Sequence, residues 1–90
     1  MESIKIQDRL LALVKTILVQ NSIPADVHPE VRLVDAGLTS VDMVKLMFDV
    51  EAEFDFTIPH AEITPENFQS VRTLELMIVN RLRAYNGAVN

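Results

Sequence analysis

Apolar residues at Ile6, Leu10, Leu13, Val14, Ile17 and Leu18 recur at intervals of three and four, while Asp8, Lys15 and Gln20 fall off that stripe. This is the spacing of one helix face, and it predicts a first helix over residues 4–20, capped by Ser3 and stopped by Asn21-Ser22 and Pro24. Residues 21–39 then form a connection longer than most links between helices. Pro24 and Pro29 keep it extended, and Ile23, Val27, Leu33, Val34 and Leu38 are placed to pin it across the helices. A second helix is expected over 40–54, with Met43, Leu46, Met47, Val50 and Phe54 facing inward. Val41, Val44 and Phe48 make a second apolar stripe on its other side, flanked by Asp42, Lys45 and Glu51. Either that helix is buried nearly all round, or the stripe is a partly exposed docking patch.

Beyond it, Phe56-Thr57-Ile58-Pro59 turns the chain back on Phe56 and Ile58, with Pro59 expected to delay the next helix. Thr64-Pro65-Glu66 reads as a cap followed by proline at the first helical position, predicting a short third helix over 64–68. Ser70 opens a fourth, over 70–84, with Val71, Leu74, Met77 or Ile78, and Leu82 inward. Arg81 and Arg83 suit its C-terminal end. Asn86-Gly87 is expected to end it and to leave 86–90 as a flexible tail. The pattern is all-α: an antiparallel four-helix bundle with a long first loop, in one domain over residues 1–85.

Composition narrows the function. A chain of 90 residues buries about 60–65% of the surface its unfolded form exposes. Hydrophobic content of 49%, two glycines and no tryptophan fit a helical core. With no cysteine there is no disulfide, thiolate metal site or cysteine nucleophile, so any thiol chemistry needs a borrowed thiol. Apolar runs are too short to span a bilayer, and residues 1–5 lack a signal-peptide start, so the expected compartment is the cytoplasm. With Met1 at the start and a frayed tail, a complete small protein is expected. A net charge of −5 disfavours nucleic acid. Between Val41 and Glu66, seven acids stand against the single base Lys45, a local charge of −6. Such a face is either simply solvated or meets a basic patch on a partner.

The candidate chemistry lies in Asp35-Ala36-Gly37-Leu38-Thr39-Ser40-Val41-Asp42. Thr39 is a good N-cap, and Asp42 three residues later completes a capping box. Ser40 then falls in the first helical turn, beside N–H groups without intrahelical partners. A phosphate on its hydroxyl would sit where the helix dipole favours negative charge. Self-contained catalysis has little support. A serine nucleophile needs a nearby base and an oxyanion hole. His60 is near the far end of the helix that Ser40 starts, at about 1.5 Å per residue. His28, in the loop, has neither triad companions nor a second metal ligand at useful spacing, and so small a bundle offers no sizeable cleft. No catalytic or metal-binding residue is expected.

The run Gly37-Leu38-Thr39-Ser40-Val41-Asp42, preceded by Asp35 and followed by Leu46, Glu51-Ala52-Glu53-Phe54 and Ile58-Pro59, resembles the phosphopantetheine-attachment region of acyl and peptidyl carrier proteins. The resemblance covers residues 33–82 and needs no gap through Pro59. It implies a carrier-type bundle whose Ser40 receives 4′-phosphopantetheine from coenzyme A by way of a phosphopantetheinyl transferase, with Gly37, Thr39 and Val41 around the attachment point. It further implies docking through Leu38, Val41, Asp42, Val44, Lys45, Phe48 and Glu51. The arm would supply the missing thiol, a ligase would load an acyl or aminoacyl group as a thioester, and a downstream transferase or synthase would take it. Such a chain is not an enzyme, and is monomeric when free.

Departures from the family pattern sharpen this. Thr39 stands where Asp is usual, or His in peptidyl carriers, and Val41 where Leu is usual. Lys45 and Ala52 stand where fatty-acid carriers commonly have acids. These departures imply a stand-alone carrier with a dedicated ligase, outside housekeeping fatty-acid synthesis. Fatty acyl, polyketide and amino acid cargo all remain open. The competing readings are a non-catalytic helical adaptor whose Ser40 is never modified, and a small helical nucleic-acid binder, which the charge distribution disfavours.

Overall fold

The computed structural model describes residues 2–24 and 26–89, and the side chains of 5–24 and 26–83. Its helices are α1 (Glu2–Gln20), α2 (Leu33–Ala36), α3 (Ser40–Phe54) and α4 (Val71–Val89), with a 3₁₀ turn at His60–Glu62 between the last two. No strand occurs among the described residues. The periodic stripe of α1 is the centre of the core: Leu10, Val14 and Leu18 are fully buried, and Ile6 and Ile17 nearly so. It packs against α3 through Leu46 and Val50 and against α4 through Val71, Leu74, Met77 and Ile78. Both alternatives expected at Met77 and Ile78 therefore face inward.

Three helices end in the same way. At Ser22, Gly37 and Asp55 the backbone turns left-handed, with φ of 59°, 115° and 55°. The following amide then reaches back five residues, Ile23 to Leu18, Leu38 to Leu33 and Phe56 to Glu51. This closure satisfies a terminal carbonyl and carries an apolar residue into the core. Arg9 fastens α1 to the end of α3: its Nε donates to Glu53 Oε2 at 2.7 Å and its Nη2 to the Glu53 carbonyl at 2.5 Å. The guanidinium also lies 4.4 Å from the centre of the Phe54 ring.

The long connection is ordered by backbone bonds to the segment before α4. Leu33 N–H donates to the Gln69 carbonyl at 2.8 Å, and Arg72 N–H to the Pro29 carbonyl at 2.9 Å. It contains α2, a helix that four residues of unremarkable pattern did not reveal.

The short third helix expected over 64–68 is instead a single turn, closed by Phe68 N–H on the Thr64 carbonyl, with Thr64 Oγ1 accepting from Asn67 N–H. It cannot lengthen, because Ser70 and Thr73 form their own reciprocal capping box and start α4 there. Nor does Pro59 delay helical structure. Its carbonyl accepts from Glu62 N–H at 2.8 Å and opens the 3₁₀ turn, since proline lacks only its own donor. At the other end, α4 runs through Asn86-Gly87 to Val89, so the expected tail is helical up to Asn90, which lies outside the described residues. Gly87 alone costs a helix interior only about 1 kcal/mol against alanine.

Candidate functional site

The site is assembled at the start of α3 from three directions. From the loop, α2 ends on Gly37, where φ is 115° and an added Cβ would lie 2.9 Å from Ile23 Cδ1. A side chain would be strained there by the backbone, whatever room Ile23 made. Leu38 follows and drops into the core, only 4% exposed. It was expected among the docking residues; burial makes it an anchor, because the left-handed turn at Gly37 points it at Leu33 and the bundle.

Thr39 then caps α3 with extended backbone. Its Oγ1 accepts from Asp42 N–H at 3.2 Å and donates to Asp42 Oδ2 at 3.0 Å, while Thr39 N–H donates to the same oxygen at 2.9 Å. From the end of α1, Asn21 Nδ2 donates to Asp42 Oδ2 at 2.9 Å. Asp42 thus receives three donors. The Thr39 amide and then the Asn21 side chain hold its carboxyl below the usual carboxylate range; desolvation opposes them, and the Thr39 hydroxyl adds a smaller lowering. The capping box was legible as Thr-x-x-Asp. The Asn21 tie was not, because no local pattern says that a residue at the end of one helix reaches the start of another.

Between these fixed points Ser40 is exposed. Against the expectation of no sizeable cleft, it lines an open groove of about 600 Å³ whose walls include Val34, Met43, Met47, Ile63 and Phe68. The stripe on the outer face of α3 is indeed open, with Val41 78%, Val44 53% and Phe48 58% exposed. A helix buried all round is therefore excluded. The polar residues flanking that stripe have partners within the chain. Lys45 pairs with Asp49 at 3.1 Å, and Glu51 Oε2 accepts from Ile58 N–H at 2.8 Å. Glu51 thereby fixes the turn after α3, in addition to any contact it makes outside. His28 is exposed beside Asp26, and His60 lies in the 3₁₀ turn beyond the far end of α3.

This geometry fits a covalent phosphodiester arm. The hydroxyl is reachable, it sits in the first turn of a capped helix where N–H groups and the dipole favour an anion, and the groove beside it is open for a linear group. Among the described residues no helix is long and apolar enough to cross a membrane.

Comparison with known proteins gives the same answer from another side. The chain is 60% identical over 83 residues to Aminoacyl carrier protein 1 of Bradyrhizobium diazoefficiens, covering 92% of each. It is 56% identical over 85 residues to Aminoacyl carrier protein 2 of that organism, covering 94% of this chain and 96% of the relative. Among solved structures it resembles a chain in the crystal structure of Bradyrhizobium japonicum glycine:[carrier protein] ligase complexed with glycylated carrier protein, with TM-score 0.70 and 68% identity over 79% of this chain and 96% of that one. A second such complex, with cognate carrier protein and an analogue of glycyl adenylate, matches with TM-score 0.72 and 65% identity over 82% and 96%. Residues 8–78 match the family described as the phosphopantetheine attachment site, and to that family of carrier proteins the chain belongs.

Proposed function

We propose that Ser40 is the attachment point and that this carrier holds an amino acid, loaded by an amino acid-activating ligase. The observation that carries the site is an exposed serine at the first turn of α3, held by the Thr39–Asp42–Asn21 network and opening on the adjoining groove. The aminoacyl cargo rests on the relatives, two of them named as aminoacyl carriers and two crystallised with a glycine ligase. Glycine is accordingly the first cargo to test.

The chain is a carrier and not an enzyme, so its residues position and present. When bound, 4′-phosphopantetheine supplies the thiol on which an aminoacyl group is held as a thioester. In the transfer, Ser40 Oγ would bond to the phosphorus that carries pantetheine as the pyrophosphate bond of coenzyme A breaks, with adenosine 3′,5′-bisphosphate leaving and the serine proton passing to the transferase. The first-turn N–H groups of α3 face the charge left behind, and Thr39 and Asp42 keep that turn from fraying. Val41, Val44 and Phe48, next to Ser40 on the outer face of α3, supply apolar contact with the loading ligase. Lys45 and the acids around it adjust the choice of partner. Tethering raises the effective concentration of the cargo at each partner. A phosphopantetheinyl transferase and a downstream acceptor enzyme complete the set of partners; the free chain is a monomer and works in the cytoplasm.

The test is intact mass after incubation with coenzyme A and a broad-specificity transferase, with Ser40→Ala alongside. The wild type should gain one phosphopantetheine, and Ser40→Ala none while melting at the same temperature. Adding ligase, ATP and glycine should then add one glycyl group. An unmodified wild type, also when purified from its native host, would establish the adaptor reading instead.

A further inference from the structure

Among the described residues lining the groove beside Ser40, the charged side chains are Arg32 and Glu66, and Arg32 is the one cation. Its backbone is fixed. Its carbonyl accepts from Ala36 N–H at 3.0 Å, and the neighbouring Leu33 amide is tied to the Gln69 carbonyl. Its side chain is not so held: Arg32 stands at the N-cap of α2 but makes no side-chain capping bond. Its contact with Asp35 is 4.0 Å long, between side chains 62% and 65% exposed. An exposed pair at that distance contributes little and is exchanged readily for a better anion. The nearer cation on α3, Lys45, is engaged more firmly, with Asp49 at 3.1 Å.

We propose that Arg32 is the positioning residue for the phosphodiester on Ser40, leaving Asp35 to meet it and holding the root of the arm on the groove side of α3. This rests on the reading of Ser40 as the attachment point. A guanidinium suits the task, since its planar fork can meet two phosphate oxygens at once and it stays charged at every working pH. Glu66, on the same groove, repels the phosphodiester, which leaves Arg32 as the groove's attractive charge. The residue acts on the arm's orientation and takes no part in bond making. Nothing in the local sequence marks it, because it lies eight positions before Ser40 and reaches the groove only through the fold of the long connection.

The experiment uses the modified proteins of the wild type, Arg32→Gln, Arg32→Lys and Asp35→Asn, each verified by intact mass. The readout is the ³¹P resonance of the phosphodiester as salt is raised from low to about 1 M, where the Debye length falls to about 3 Å. In the wild type the resonance should move with salt. Arg32→Gln should lose the salt-dependent movement, its resonance lying at the wild type's high-salt position. Arg32→Lys should keep a smaller movement, and Asp35→Asn should enlarge it by freeing the guanidinium. A ³¹P resonance identical in wild type and Arg32→Gln at all salt concentrations would overturn the proposal while leaving Ser40 as the attachment point. Failure of the wild type to gain mass, or gain of mass by Ser40→Ala, would overturn both.

Discussion

Replacing Thr39 by alanine tests whether the capping box holds Ser40 in place. The substitution removes one hydroxyl that makes two bonds, accepting from Asp42 N–H at 3.2 Å and donating to Asp42 Oδ2 at 3.0 Å. The other half of the box survives, since Thr39 N–H and Asn21 Nδ2 still reach the carboxylate. The loss should therefore fall near the middle of the range for capping substitutions, about 1 kcal/mol, rather than at its upper end. In a domain of this size that lowers Tm by about 4–8 °C, a noticeable part of a total stability of about 5–15 kcal/mol. Thermal unfolding followed by circular dichroism at neutral pH measures it, with amide exchange reporting on the Asp42 N–H that the hydroxyl caps. Thr39→Ser keeps the hydroxyl and should melt like the wild type. Phosphopantetheinyl transfer should slow in Thr39→Ala and recover in Thr39→Ser, because Ser40, the proposed attachment point, sits in the turn that frays. A Thr39→Ala protein with unchanged Tm and unchanged Asp42 protection would refute the reasoning, as would a Thr39→Ser protein that loses as much as Thr39→Ala.

Four further outcomes are expected. Because the folded-state pKa of Asp42 is lowered, its stabilisation is fully present above the ordinary carboxylate value of 3.8 and is lost as pH falls through and below it; Asp42→Asn should flatten that acid limb in a pH series of melts, and an undiminished limb would assign it to other carboxylates. Gly37→Ala should destabilise by about 1–3 kcal/mol in denaturant unfolding, as a non-glycine residue held at positive φ. Phe48→Glu should raise the KM of the loading ligase and leave stability within about 0.5 kcal/mol, as for an exposed position; an unchanged KM would remove Phe48 from the docking face. Lys45→Glu combined with Ala52→Glu should weaken loading by the amino acid ligase, and equal loading would mean that partner choice is decided elsewhere.

What could be read from the sequence and what could not divide along physical lines. The stripes of α1 and α3 were legible because helical periodicity is local and each stripe is long enough to repeat. The Thr39–Asp42 box was legible because its two partners are three residues apart. The attachment region was legible because several residues at fixed spacing carry it. The missed features depend on distant partners. Among these are α2, made stable by backbone bonds to the segment before α4, the Asn21 tie to Asp42, and Arg9 on Glu53 and Phe54. The burial of Leu38 was hidden for a related reason: its position beside Ser40 says nothing of the left-handed turn at Gly37 that sends it inward. The left-handed residues Ser22 and Asp55 were equally hidden, since neither is a glycine. The turn at 64–68 had the right cap but too little chain before the next capping box to become a helix.

The exchange of the usual acid before the serine for Thr39 acquires a meaning from this geometry. A carboxylate at 39 could cap α3 as well as a hydroxyl does, but its charge would stand beside Asp42 Oδ2, which Thr39 Oγ1 approaches at 3.0 Å. Two anions facing one another there would weaken the box that either of them could serve alone. With threonine at 39, the box holds one acid, Asp42, whose Oδ2 accepts from three donors. The position immediately before Ser40 is then uncharged. Under the proposed attachment at Ser40, this keeps the cap intact without placing like charge next to the phosphodiester. If Ser40 is modified as proposed, a transferase that reads a carboxylate at position 39 would find none here, so the same threonine that keeps like charge away from the phosphodiester would also remove that handle.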